Sequence, residues 1–210
     1  MPIRNSDQGD YNLSFTAASL RPELARLVAE CYLELGNWDR VKEQILRSNM
    51  LQSRSTSSAI RMERELRQRL QLLTQDEIAL LTGGNADDRA AMAWLATLKH
   101  SQFVFEFATE VLREKLAIRD QVLRRSDYEA FVEGKSLIHG SLNQLKASSK
   151  SKIRQVLMLM LSEAGLLGNG ASLGTIQRPV LSSEGLRAID ADSRHWLSGF
   201  LFPDSEIGGQ

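Results

Sequence analysis

The chain has 210 residues, of which 42% are hydrophobic and 25% are charged, a balance typical of a globular protein with a buried core. Its formal net charge is zero, so the chain as a whole is neither strongly basic nor strongly acidic. There is no window of roughly 18 consecutive apolar residues, no apolar signal-peptide core after Met1, and only one cysteine, Cys31, so the sequence predicts a soluble cytoplasmic protein with no membrane contact and no intrachain disulfide.

The charges are unevenly distributed along the chain. Between Arg40 and Leu70, which we call the first basic island, there are eight basic and three acidic residues. Between Leu142 and Leu181, the second basic island, there are five basic residues and one acidic residue. The remaining large segments are net acidic. Two basic islands in an acidic background favour a polyanionic partner.

The first island belongs to a predicted helix-turn-helix-like region, residues 11–75. Pro22 suits the first turn of a helix that ends near Leu35, and a second helix is predicted over about 38–47. A third helix begins in the hydroxyl-rich run at 55–58 and ends near Leu73. At 100° per residue, the side chains opposite its apolar stripe are those of Ser57, Arg61, Arg64 and Gln68.

The middle of the chain, residues 76–125, is predicted to be a central helical hub. Gly83-Gly84 ends a short helix, and helices are predicted over about 86–100 and 103–116. These segments contain aromatic residues at helical spacing, including Trp94, Phe103 and Phe107. Such a pattern is typical of a core.

The last third, residues 126–210, has a different pattern. A strong amphipathic helix over 149–167 is followed by a glycine-containing loop at 168–174 and an alternating, β-like segment at 175–181. A basic helix followed by a small β-ribbon is typical of a winged helix-turn-helix. The apolar run at 196–202 either packs on the hub or remains exposed as a docking patch for a protein partner.

These patterns predict a mostly α fold: a compact helical protein with a helix-turn-helix-like N-terminal part and a small C-terminal β-ribbon. The predicted organisation is a flexible N-terminus at 1–10, followed by regions 11–75, 76–125 and 126–210.

The sequence contains no group of residues typical of catalysis. His100, His139 and His195 are far apart and lack metal-ligand spacing to a carboxylate or cysteine. Gly83-Gly84 is not followed by the Lys-Ser or Lys-Thr of a phosphate-binding loop. We therefore expect no catalytic residues, no metal and no cofactor.

The basic islands offer a better candidate site. Clustered Lys and Arg bind DNA phosphates by counterion release, and helix N-termini and hydroxyls add further phosphate contacts. The predicted DNA-binding residues are Arg54, Ser55, Ser57, Arg61, Arg64, Ser149, Lys150, Lys152, Arg154 and Arg178, the last on the segment predicted as the wing. The alternative is that the serines only cap helices and that the arginines form pairs with acids such as Glu63 and Glu65.

Several segments resemble the BrxA family of BREX phage-defence systems, and the resemblance extends from about Ser14 to Leu186. The similar segments are Ala29-Glu30, Trp38 to Lys42, Asn49 to Gln52, Arg54 to Arg64, Phe107 to Lys115, Lys152 to Leu157, Glu163 to Leu167 and Ile176 to Ser182. The resemblance implies a helix-rich fold, similarity to small antitermination-type nucleic-acid-binding proteins, and binding to duplex DNA without catalysis. It does not assign DNA-contacting residues.

The sequence thus favours a non-enzymatic component of a BREX system that binds double-stranded DNA and has other BREX proteins as partners. We expect modest sequence preference, because no Asn or Gln pair is obviously directed at base edges. Two alternatives remain open: a scaffold or adaptor that holds other BREX proteins, and RNA binding.

Overall fold

A computed structural model describes residues 10–208. The predicted flexible N-terminus therefore lies, apart from Asp10, outside the described residues. Helices make up most of this part of the chain, and its strands form one small antiparallel sheet. The mostly α fold class is therefore confirmed.

The N-terminal third contains the three predicted helices. After a 3-10 turn at Ser14–Ala17, the helices are α1 Pro22–Leu35, α2 Trp38–Arg47 and α3 Thr56–Leu70. The Asn37 side chain caps α2 by accepting hydrogen bonds from the backbone N–H groups of Asp39 and Arg40, at 2.9 and 3.1 Å. The α2–α3 connection spans residues 48–55, longer than the roughly three- to four-residue turn of a helix-turn-helix.

The middle third, residues 76–125 of the predicted organisation, consists mainly of helices. Its helices are α4 Gln75–Gly83, α5 Ala86–His100, α6 Gln102–Glu106 and α7 Glu114–Ala117, with a π-helical segment Phe107–Arg113 that joins α6 to α7. Trp94, Phe103 and Phe107 are almost completely buried, as expected from their helical spacing. The helix predicted over 103–116 is thus part of one continuous helical stretch, Gln102 to Ala117.

The last third combines helices with the sheet. Its helices are α8 Arg125–Ser136, α9 Ser141–Gln144, α10 Ala147–Glu163, α11 Ser183–Asp192 and α12 Asp204–Ile207, with a 3-10 segment Arg194–Phe200 before α12. The strands are β1 Val122–Leu123, β2 Leu167–Gly168 and β3 Gly174–Ile176. β3 lies between the other two and is antiparallel to both.

The sheet confirms the predicted β-ribbon and corrects its extent. β2 and β3 form a hairpin around residues 169–173, but β3 ends at Ile176 and not near Leu181 as predicted. Pro179 has no backbone N–H to donate to a ladder, which is consistent with an early end. β1 comes from the segment predicted as hub, and Val122 pairs with Thr175 across the predicted boundary between the last two regions.

The apolar C-terminal run packs on the hub. Leu197, Phe200 and Leu201 are buried, and the Trp94 indole N–H donates to the Gly199 carbonyl at 3.0 Å. An added Cβ at Gly199 would lie 2.5 Å from a Leu98 methyl, so a larger residue here would force the buried Leu98 side chain to shift. The alternative in which the run is an exposed docking patch is therefore wrong.

Residues 11–20, which we call the linking segment, connect α3 to α10. Arg69 near the end of α3 is buried, and its guanidinium donates to the carbonyls of Ala18 and Ser19 at 2.8 and 2.9 Å. Glu163 at the end of α10 accepts from the Leu20 backbone N–H at 2.7 Å. The helices of the two basic islands are thus attached to the same ten residues.

Candidate nucleic-acid interface

The outward face of α3 is basic. Arg54, just before the helix, and Arg61 and Arg64 on the helix are exposed, and no carboxylate in residues 10–208 lies within 4 Å of their guanidinium groups. The predicted opposite face is therefore correct, since Ser57 and Gln68 are also exposed. Arginines without internal partners are available to an external anion.

The acids of α3 face inward, where they form the ion pairs considered as an alternative. Glu63 and Glu65 are buried and accept from Arg67 and Arg69 at 2.6 and 2.9 Å. Burial lowers the pKa of Arg69, although the Glu65 charge opposes that shift. The pairing alternative is thus confirmed for Arg67 and Arg69 and does not extend to the outward arginines.

The start of α3 is fixed by Ser55. Its hydroxyl accepts from the Ser58 backbone N–H at 3.3 Å, and its oxygen lies 3.3 Å from the Ser57 hydroxyl. Ser55 therefore caps the helix, as predicted by the alternative in which the serines serve as helix caps. Ser57 is exposed in the first turn, where the free N–H groups and positive end of the helix dipole favour an anion.

Helix α2 carries further exposed cations of the first basic island, which the predicted DNA-binding residues did not include. Arg40, Lys42 and Arg47 are exposed, and no carboxylate in the described chain lies within 4 Å of them. Glu43 is the exposed acid of the first basic island, because Glu63 and Glu65 are buried. The helical periodicity of α2 predicts Arg40 and Arg47 on one side of the helix, within about 20° of each other, and Lys42 on another side.

In α10 the predicted cations lie beside the outward face. Lys150 and the half-buried Arg154 line a cavity of about 530 Å³ between α8 and α10, together with Tyr128. Burial raises the pKa of Tyr128 to about 12, and the positive charge of Arg154 partly opposes the shift. Lys152 and Ser149 line a smaller cavity on the side of α10 that packs on the linking segment.

The outward face of α10 itself has a different composition. An uncharged strip of exposed side chains runs along it from Ser148 and Ser151, which line the smaller and the larger cavity respectively, to Gln155, Leu159 and Ser162. The sequence prediction missed this face because it followed charge alone.

Arg178 does not lie where the sequence prediction placed it. The hairpin loop covers residues 169–173, and Arg178 lies two residues beyond the end of β3. Its guanidinium pairs with Glu206 at 3.3 Å and stacks on the Phe202 ring at 4.8 Å from the centroid. The C-terminal run thus engages this arginine, and it is not part of the wing.

Other kinds of site find no support in residues 10–208. No three His, Cys, Asp or Glu side chains in that range are grouped as metal ligands. No helix in the described chain has the length and hydropathy needed to cross a membrane. Cys31 is buried, and burial raises the pKa of its thiol, which makes the reactive thiolate less available.

The fold and its surface define a class: helical proteins with a small antiparallel sheet and exposed basic side chains on two separate helical regions. Within this class, the family model for BrxA matches residues 9–193. The chain therefore belongs to the BrxA family, as its sequence resemblance suggested.

Individual relatives agree with this assignment. The chain is 26% identical over 151 residues to a protein named BREX protein BrxA from Bacillus cereus, which covers 72% of this chain and 76% of that protein. It is 28% identical over 141 residues to BREX protein BrxA from Escherichia coli, covering 67% and 66%. An uncharacterized protein from Magnetospirillum magneticum has a similar solved structure, with a TM-score of 0.76, 19% identity, and coverage of 91% of this chain and 97% of that one.

Proposed function

We propose that this protein is a non-enzymatic, cytoplasmic component of BREX phage defence that binds double-stranded DNA through its two basic surfaces. The observation that carries the proposal is the outward face of α3, where Arg54, Arg61 and Arg64 are exposed without a carboxylate partner in the described chain. Family membership supports the role in BREX, since the named relatives are BREX proteins.

The order of elements in the last third supports a second DNA contact through α10. β1 is followed by α8, α9 and α10, then by the β2–β3 hairpin, and β3 lies in the middle of the sheet. A winged helix-turn-helix has the same order, except that here the short helix α9 lies in the connection 137–146 between the two helices of the pair. In helix-turn-helix proteins the second helix of the pair enters the major groove, and here that helix is α10.

Binding would be mainly electrostatic. Each phosphate that a Lys or Arg neutralises releases condensed counterions, so the observed affinity falls with salt at a log–log slope of about −0.9 per phosphate contact. Exposed cations of α2, α3 and α10 would make these contacts, and the exposed start of α3 would add hydroxyl and N–H contacts.

The test is a titration of labelled duplex DNA with the full chain across a salt series. We expect salt-dependent binding that is weakened by Arg61→Glu/Arg64→Glu and, separately, by Lys150→Glu/Lys152→Glu. Arg21→Glu/Arg119→Glu is the matched control, because these two arginines are also exposed, lie outside both islands and have no carboxylate within 4 Å in the described chain. No duplex binding by the folded wild-type protein at low salt would refute the proposal, and a single-stranded or duplex RNA competitor that binds more tightly would redirect it to RNA.

A second candidate function, as an adaptor for other BREX proteins, rests on one exposed apolar site. Leu137 and Ile138, in the loop between α8 and α9, are 85% and 60% exposed. Co-purification with the other BREX components, compared between wild type and Leu137→Ser/Ile138→Ser, tests this candidate. Retained DNA binding together with lost co-purification would show that the two functions use separate surfaces.

A further inference from the structure

The outward face of α10 is a long, uncharged strip. Its exposed residues recur every three or four positions, and at 100° per residue they fall within about 80° of arc. With a rise of 1.5 Å per residue, the strip is about 21 Å long. Its members are Ser148, Ser151, Gln155, Leu159 and Ser162.

Positive charges border this strip on both sides. Lys152 lies on the side of the linking segment, and Lys150 and Arg154 lie on the side of α8. No carboxylate in residues 10–208 lies within 4 Å of any of these three cations. An uncharged centre between two positive borders matches the cross-section of a DNA groove, in which base edges lie between two phosphate backbones.

Two side chains in the centre of the strip are exposed and available for contacts with a ligand. Gln155 is exposed and its carboxamide makes no hydrogen bond within the described chain. Leu159, one turn further along, is 47% exposed although the rest of the helix has an extensive buried face. One offers a paired donor and acceptor, and the other offers an apolar contact.

We infer that α10 contacts base edges in the major groove of duplex DNA, with Gln155 and Leu159 as the residues that determine specificity. This inference rests on the proposed function. A helix of about 10–12 Å diameter fits a major groove of about 12 Å width. The Gln155 carboxamide matches the N6 donor and N7 acceptor of adenine, and Leu159 matches the methyl group of thymine.

The division of labour within the site follows from this geometry. Lys150 and Lys152 contact phosphates on the two sides of the groove and give affinity without sequence information. Gln155 and Leu159 give preference for A·T pairs at adjacent positions. The sequence preference of the protein is thus encoded in α10, whereas the arginines of α3 bind any duplex.

The experiment is selection from a randomised duplex pool with the full chain, followed by salt titrations on the selected duplex and on one with the A·T pairs replaced by G·C. For wild type we expect enrichment of fixed A·T positions. Gln155→Ala should reduce the preference for the selected duplex on the order of tenfold, since a bidentate pair discriminates by about that much or more. The salt slope should not change, because Gln155 neutralises no phosphate.

Two variants provide the controls. Lys152→Ala should make the salt slope shallower by about 0.9 and leave the sequence preference unchanged. Gln75→Ala removes an exposed glutamine on α4, outside both islands, and should change neither quantity. Thermal unfolding confirms that each variant is folded.

The outcomes separate this inference from the proposed function. Salt-dependent duplex binding without any enriched sequence, or with a preference that Gln155→Ala and Leu159→Ala do not alter, overturns the inference and leaves DNA binding intact. Uniform weakening on all duplexes by Gln155→Ala also overturns it. Absence of duplex binding by wild type overturns both.

Discussion

Helices α3 and α10 are both basic, exposed on one side and attached to the linking segment, but they carry their charges differently. On α3 the arginines point directly outward, while Glu63 and Glu65 neutralise the inner arginines. On α10 the outward face is uncharged and the cations border it. Similar local charge therefore corresponds to two different surfaces.

This difference separates general attraction to DNA from discrimination between DNA sequences. A row of outward arginines interacts with the phosphate backbone of any sequence. A row of small polar and apolar side chains brings no charge to a phosphate, and its amide and apolar groups suit the edges of bases.

The largest expected effect concerns the attachment of α3. Arg69→Met removes one partner of a buried ion pair and leaves Glu65 and the Ala18 and Ser19 carbonyls unpaired. We expect the free energy of unfolding to fall by about 3–5 kcal/mol, measured by urea denaturation. Arg61→Met, on the exposed face, should change it by less than about 0.5 kcal/mol. Equal losses for the two variants would contradict the assignment of inner and outer arginines.

The second prediction compares the two surfaces in DNA binding. Replacing Arg54, Arg61 and Arg64 by alanine should make the log–log salt slope shallower by about 2.7, and replacing Lys150 and Lys152 by about 1.8. Affinity should fall on the order of tenfold in each case, equally for all duplex sequences. Filter binding across a salt series measures both quantities. A sequence-dependent loss after the α3 substitutions would contradict the division between the helices.

The third prediction concerns the helix starts. Ser55 caps α3, whereas the corresponding residue of α10, Lys146, has extended backbone but makes no side-chain cap. Ser55→Ala should therefore destabilise the protein by about 1 kcal/mol, and Lys146→Ser should stabilise it by a similar amount. Thermal unfolding checks both. Ser57→Ala is the control, because Ser57 accepts no hydrogen bond from a backbone N–H, and an equal loss there would refute the capping assignment.

The smallest effect concerns pH. Burial, helped by the charge of Arg69 and opposed by Glu65, lowers the pKa of His100, which lies 3.8 Å from Glu65. As the pH falls, the unfolded chain therefore binds a proton at His100 first, near the ordinary pKa of about 6.5. The stability contributed by neutral His100 is fully present above that pH and is lost as the pH drops towards the pKa of His100 in the folded protein. His100→Gln should lose less stability than wild type between pH 7.5 and 5.5 in urea denaturation. A larger loss in the variant would contradict this sign.

Local features of this protein could be predicted from its sequence. Pro22, Gly36 and Asn37 set the ends of α1 and the start of α2, because capping depends on neighbouring residues. Helical periodicity placed Arg61 and Arg64 on an exposed face for the same reason. The extent of the last strand was predicted less well, because alternation alone does not show whether a partner strand continues.

Which side chains are free to contact a partner depends on tertiary contacts. Arg178 is engaged by Phe202 and Glu206, the apolar C-terminal run is buried where Trp94 meets Gly199, and Arg69 binds carbonyls about 50 positions away. These contacts join residues far apart in the chain, so no local pattern encodes them. The same folding left Gln155 and Leu159 exposed between lysines, a surface whose meaning depends on what packs beside α10 and not on α10 alone.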